Sequence, residues 1–172
     1  FTLTPSLIIT KWLPTCPIGS HAAFLKALTA SFPEILFNLK LFVNENKLGV
    51  VLTAPFEVHL SDTSRPVQPD VLFISAEQQP TSGIQFFEGV PTLVVEAISP
   101  SSWRHDQKTK FDAYEKAGVA EYWIANPNTR SVQIYTLSSG EYALLGEYKE
   151  DEVIQSKVLE GLNIITSRLF IT

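Results

Sequence analysis

What this sequence lacks narrows it before any pattern is sought. Its 172 residues include one cysteine, Cys16, so neither an internal disulfide framework nor a multi-cysteine zinc site is available. Nothing around Cys16 marks it as a nucleophile. No apolar run approaches the roughly 20 residues of a membrane span. The N-terminus has neither the charged region nor the cleavage site of a secretory leader. The expectation is a cytoplasmic protein with no membrane partner. Positive charge is scarce: 13 Lys and Arg stand against 18 Asp and Glu, a net charge of −5. That argues against a protein held on nucleic acid by charge alone. An enzyme that meets nucleic acid through a bound cation is not excluded. The chain carries no Gly-rich phosphate loop, no GxSxG elbow, no HExxH and no paired CxxC. Methionine is absent, and no acid precedes Glu34.

What is present suits a folded domain. The hydrophobic fraction is 45% and the charged fraction 18%, the balance of a globular chain. No repeat, low-complexity tract or linker divides it, so residues 1–172 read as one domain. SLIITKWL (6–13) reads as a short strand. Ser20 caps an expected helix through HAAFLKALTASF, stopped by Pro33. A second helix, EILFNLKLFVNEN, puts Ile35, Leu36, Leu39, Phe42 and Val43 on one face. VVLTAPFEVHL (50–60) reads as a long strand, bent or at an edge because of Pro55. PDVLFIS (69–75) is a strand, and 76–90 reads as a surface loop. TLVVEAIS (92–99) has the continuous apolar character of a central strand covered on both faces. A helix follows from about Trp103 to Ala117, stopped by Gly118. EYWIANP (121–127), a turn at Asn126–Asn128, RSVQIYTLS (130–138) and EYALLGEYK form a β-meander. The tail SKVLEGLNI reads as one more strand. The strand–helix–strand unit over 92–126 makes its two strands parallel with a right-handed crossover, giving a mixed sheet with helices packed on it.

The chemistry gathers around Glu96. Alternation places Thr92, Val94, Glu96 and Ile98 on one face, and Leu93, Val95 and Ala97 on the other. A carboxylate in such a strand is costly unless something pairs with it. It stands near the C-terminal end of a parallel strand, where ligand sites form. A purely structural pair with a lysine is the other reading. Asp70 opens the strand 69–75. Taken alone it reads as turn chemistry, but two adjacent strands would bring Asp70 and Glu96 to one point. Two ionised acids in contact call for a cation between them, and oxygen-only ligands suit Mg²⁺ or Mn²⁺. Asp106 and Lys110 are one helical turn apart and share a face, as an exposed ion pair also would. Lys108 points elsewhere and reads as a solvated lysine. His105 reads either as a ligand or, as is more common for such a residue, as an exposed polar side chain; His21 and His59 show no partner in the sequence.

PDVLFIS, PTLVVEAISPSS, DQKTKFDAYEKAGVAEYWIANP and a meander ending in VLEGLNI together resemble the Uma-type family of restriction endonucleases, within the PD-(D/E)XK nuclease superfamily. The resemblance covers roughly residues 50–165. It implies an α/β (α+β) fold of restriction-endonuclease-like type, a mixed β-sheet flanked by helices with a C-terminal β-meander. It also implies a Mg²⁺-dependent endodeoxyribonuclease, with Mn²⁺ as a substitute, DNA as partner and a homodimer as assembly. Asp70 and Glu96 match its metal acids, with the Ala97 carbonyl as a third ligand. The superfamily lysine two residues after the strand acid is replaced here by Ile98. Asp106 and Lys110 match the family's pair on the following helix. Lys110 would act on the attacking water or the developing charge, and Asp106 would hold it or contact a second metal. Tyr114, Gly118, Tyr122 and Trp123 match as packing or turn residues, and His21 as an accessory histidine. Arg104, Lys108, Lys116 and Arg65 would form a rim for nucleic-acid phosphates. Asn126 departs from the family's usual Asp, and the acid-free N-terminus lacks a residue the family usually carries. The alternative is a nuclease fold without catalysis, binding nucleic acid or oligomerising through a β-edge.

Overall fold

A computed structural model of the chain describes residues 32–61, 65–78, 85–98 and 105–170. The strand expected at 6–13, the helix expected from Ser20 except its last residue Phe32, and Cys16, His21 and Arg104 lie outside them. Helix α1 (Phe32–Glu45) opens with Pro33 in its first turn. There a missing N–H costs nothing and the proline φ is already helical, so Pro33 helps to start this helix. Ile35, Leu39 and Val43 are fully buried along one stripe, with Leu36 and Phe42 beside them. The chain then turns into β1 (Gly49–Thr53). Gly49 has φ +147°, and a Cβ there would collide with the Ile74 carbonyl oxygen, so no other residue fits this close approach.

The remaining elements are β2 (Glu57–His59), β3 (Val71–Ser75), β4 (Phe86–Glu88), β5 (Leu93–Ala97), α2 (His105–Ala117), β6 (Glu121–Asn126), β7 (Ser131–Ser138), β8 (Glu141–Lys149), β9 (Val153–Ile154), β10 (Ile164–Ile165) and α3 (Thr166–Leu169). Among the described residues the main sheet has six strands in the order β1-β3-β5-β6-β7-β8. Only β5 and β6 run parallel, joined through α2; the other neighbours are antiparallel. Gly118, at φ +92°, closes α2 as its left-handed stop, its N–H donating to the Tyr114 carbonyl. Ser139 and Gly140, both at positive φ, make the two-residue turn that joins β7 to β8.

Both faces of the sheet are covered, which is why β5 is buried at every position. On one face Val71, Leu93, Val95, Trp123 and Ile134 pack against α1, α3 and the tail. On the other, Leu72, Val94, Tyr122 and Ile124 pack against Tyr114 of α2, Val119 and the β2–β4 pair. Each large side chain so buried contributes about 1.5–3 kcal/mol.

Three local expectations change. The strand expected over 50–60 breaks at Ala54–Pro55: β1 pairs with β3 and is the outermost strand of the main sheet among the described residues, while β2 leaves it for a separate parallel ladder with β4. The loop expected over 76–90 contains β4, whose Phe87 is buried under that ladder. The tail over 156–164 is not a strand. Only Ile164–Ile165 pairs, with Val153–Ile154, and the residues between are held by side-chain hydrogen bonds described below.

Candidate active site

Register brings the two acids together. Val71 lies opposite Val95 across β3 and β5, so Asp70, one residue before, falls beside Glu96 at the end of the sheet. The Ala97 N–H donates to Asp70 Oδ2 at 2.9 Å. Asp70 is also fixed through its backbone, since its carbonyl accepts from Ala54 N–H at 3.2 Å and from Thr53 Oγ1 at 2.8 Å. Both carboxylates are buried.

Lys110 rises from the second turn of α2, and its Nζ lies 2.9 Å from each oxygen of Glu96. One turn later Tyr114 donates its hydroxyl to Glu96 Oε1, also at 2.9 Å. The spacing explains the convergence: residues 110 and 114 share a helix face, and α2 lays that face on Val94, Glu96 and their neighbours. The Lys110 side chain is 25% exposed and that of Glu96 7%, so the amine links a buried acid to solvent. Burial pushes the Glu96 carboxyl up to about 7 from its ordinary 4.5; the Lys110 ammonium opposes this, the nearby charge of Asp70 adds to it, and the hydrogen bonds from Lys110 and Tyr114 lower it. Burial and the adjacent Glu96 raise the Tyr114 hydroxyl well above its usual range, so it remains a donor. Tyr114 itself packs on Tyr122 with ring centroids 5.2 Å apart.

Among the described residues no three His, Cys, Asp or Glu side chains cluster as a metal cage. A cation here would have two carboxylates and backbone oxygen. The Ala97 carbonyl is suitably placed. Ile98 N–H donates to Ala125 on the β6 side, so the peptide groups of Ala97 face the opposite edge, toward Asp70. That donor set, all oxygen and incomplete without water, fits Mg²⁺ or Mn²⁺.

The other expected site residues scatter. Asp106 lies in the first turn of α2, and its side chain is outside the described set. Lys108 is exposed and pairs with Asp112 at 3.1 Å. Lys116 is in the last turn of α2, toward the start of β6 and so at the opposite end of the sheet from the acids. Arg65 is exposed. Asn126 turns inward on its own loop: its Oδ1 accepts from the N–H groups of Asn128 and Thr129 at 3.0 and 3.3 Å, a capping task that an amide performs as well as a carboxylate.

Sequence reasoning missed two things. Tyr114, read as packing, is a direct partner of Glu96; its position one turn after Lys110 was the available signal. Glu121, read only as part of a strand, is a fully buried carboxylate. Its Oε1 accepts from Trp123 Nε1 and Ser156 Oγ, both at 2.7 Å, and its Oε2 from the N–H groups of Lys157 and Val158 at 2.7 and 3.3 Å. An acid in an otherwise apolar strand was the same signal that singled out Glu96.

A mixed sheet with two acids at one end and an amine from the crossover helix defines a nuclease-like architecture, and comparison with known proteins agrees. The profile of the Uma2 family, described as "Putative restriction endonuclease", matches residues 25–167, and the chain belongs to that family. Among solved structures, it is similar to a putative nuclease of DUF820 from Anabaena variabilis ATCC 29413, with a TM-score of 0.66 and 17% identity over 91% of this chain and 83% of that one. That likeness establishes a restriction-endonuclease-like fold. No curated protein matches the chain. Among the described residues no helix is long and apolar enough to cross a membrane. Family and fold together support a nuclease.

Proposed function

We propose that this chain is a divalent-cation-dependent endodeoxyribonuclease. The observation that carries the reading is the meeting of Asp70, Glu96 and Lys110 from two adjacent strands and the next helix. Asp70 and Glu96, with the Ala97 carbonyl, would hold Mg²⁺ or Mn²⁺. Such an ion supplies Lewis acidity toward a phosphate oxygen and acidifies a bound water. In the reaction a water oxygen bonds to phosphorus as one P–O ester bond breaks; the proton the water gives up goes to solvent, and the leaving oxygen takes one from solvent to depart as a hydroxyl. Lys110 donates hydrogen bonds to the attacking water or to the charge that grows on the phosphate oxygens. Its partly exposed stem lets it reach either Glu96 or a substrate. Tyr114 keeps Glu96 Oε1 in place. The acidic net charge is tolerable because a bound cation provides positive potential locally.

One observation favours a second reading. Both oxygens of Glu96 are already held by Lys110, as in a purely structural pair inside a nuclease fold that has lost catalysis. Cleavage of supercoiled plasmid with Mg²⁺ or Mn²⁺ separates the two. Nicking by the wild type that disappears in Glu96→Ala supports the enzyme. A wild type as inert as Glu96→Ala sinks it.

A further inference from the structure

We propose that Arg130 and Lys149 form a contact for the phosphodiester backbone of duplex DNA, on the same sheet end as Asp70 and Glu96. This rests on the nuclease reading and extends it to where the substrate lies. Register carries the placement. Glu96 pairs with Ile124, Ile124 with Gln133, and Gln133 with Glu147, so the four stand in one row across the sheet, on one face. Lys149 follows Glu147 by two residues on that face, toward the end of the sheet where β5 and β6 finish. Three interstrand steps of about 4.8 Å set β8 about 14 Å to the side of β5. The turn 127–130 lies between them at that same end. A duplex backbone running along this edge from the acids therefore passes both cations.

A cavity of about 510 Å³ opens there, lined by Thr129, Arg130, Lys149, Glu150, Asp151 and Ser167. The two cations share this opening with two exposed acids, Glu150 and Asp151, the latter accepting a hydrogen bond from Ser167 Oγ at 2.7 Å. A phosphate would therefore have to be met by the two cationic side chains themselves and not by a net positive surface. Lys149 pairs with Glu147 at 3.1 Å in a half-exposed bridge, a partner easily exchanged in water. Arg130 is exposed and has no ion pair or hydrogen bond with another described residue. A guanidinium fork is well matched to phosphate oxygens. In a chain of net charge −5, affinity for DNA has to come from such local positive points.

Arg130 also sits at φ 50°, where glycine is more comfortable than any side chain. Arg130→Gly should therefore leave the unfolding free energy unchanged or raised, while DNA binding falls. The test is fluorescence anisotropy of a short fluorescein-labelled DNA duplex over a salt series, with Ca²⁺ replacing Mg²⁺ to suppress cleavage. Arg130→Gly should weaken binding about five- to tenfold near 0.1 M salt and reduce the log–log salt slope by about one. Lys149→Gln should act in the same direction. Lys116→Gln, at the other end of the sheet, should change nothing. An Arg130→Gly protein with wild-type affinity and slope overturns the proposal while leaving the nuclease reading intact if the wild type still nicks plasmid. A wild type that neither binds the duplex nor nicks plasmid overturns both.

Discussion

Glu96 and Glu121 are both buried acids in apolar strands, on neighbouring strands of one sheet, yet their surroundings differ in kind. Glu121 takes hydrogen bonds from four neutral donors, two on each oxygen, and they come from Trp123 and the loop over 156–158. It is a fully hydrogen-bonded acid that fastens a segment with no ladder of its own. Glu96 is held by a partly exposed cation and one hydroxyl, and a second acid sits close enough to raise its carboxyl. That arrangement is strained electrostatically and open to exchange, as the proposed cation site would require. Burial of an acid alone does not mark function; the nature and mobility of its partners does.

Substitution can break this contrast, first through activity. Asp70→Asn and Glu96→Gln should each lower plasmid cleavage by about a thousandfold or more, about 4 kcal/mol of barrier, in single-turnover assays. Glu121→Gln should instead cost about 3 kcal/mol of stability in urea unfolding, because its new NH₂ faces donors that then lack an acceptor. Equal stability losses at 96 and 121 would erase the distinction.

Acidity sharpens it further. Glu96 titrates near 7 when folded against an ordinary 4.5, so between those values the native state binds more protons than the unfolded state. Stability then falls as pH rises from about 4.5 to 7, by a total on the order of 3 kcal/mol, and levels off above 7. Glu96→Gln should flatten that slope, read by chemical unfolding across the pH range. The smallest effect is expected at Tyr114. Tyr114→Phe keeps the ring packing, removes one donor and should cost about 1 kcal/mol in urea unfolding. By calorimetry its Mn²⁺ affinity should drop about tenfold.

Much of this was legible in the sequence where the signal was local. The apolar run around Glu96, the helix with Lys110, the Gly118 stop and the hairpin turns at Asn126 and Ser139-Gly140 each write their structure within a few residues. Asp70 gained meaning only beside a second strand acid. Features that depend on distant partners stayed hidden. Whether β2 joins the main sheet or Phe86–Glu88 is decided by tertiary packing across a separation no periodicity spans. The tail over 156–164 looked like a strand because its Val and Leu residues are apolar. Glu121, bonded to a backbone N–H 36 residues away, decides otherwise. The expected rim was read from charge alone, and Lys116 shows why that falls short: along a helix, position on the axis sets which end of the sheet a lysine serves.

The contrast between the two acids comes down to whether a cation enters at Glu96. Titrating Mn²⁺ calorimetrically into wild type, Glu96→Gln and Glu121→Gln, with each variant first shown to be folded, asks this without relying on catalysis. Binding in the wild type and Glu121→Gln, lost in Glu96→Gln, is the predicted result. Binding that survives in Glu96→Gln, or is missing from the wild type, would contradict it.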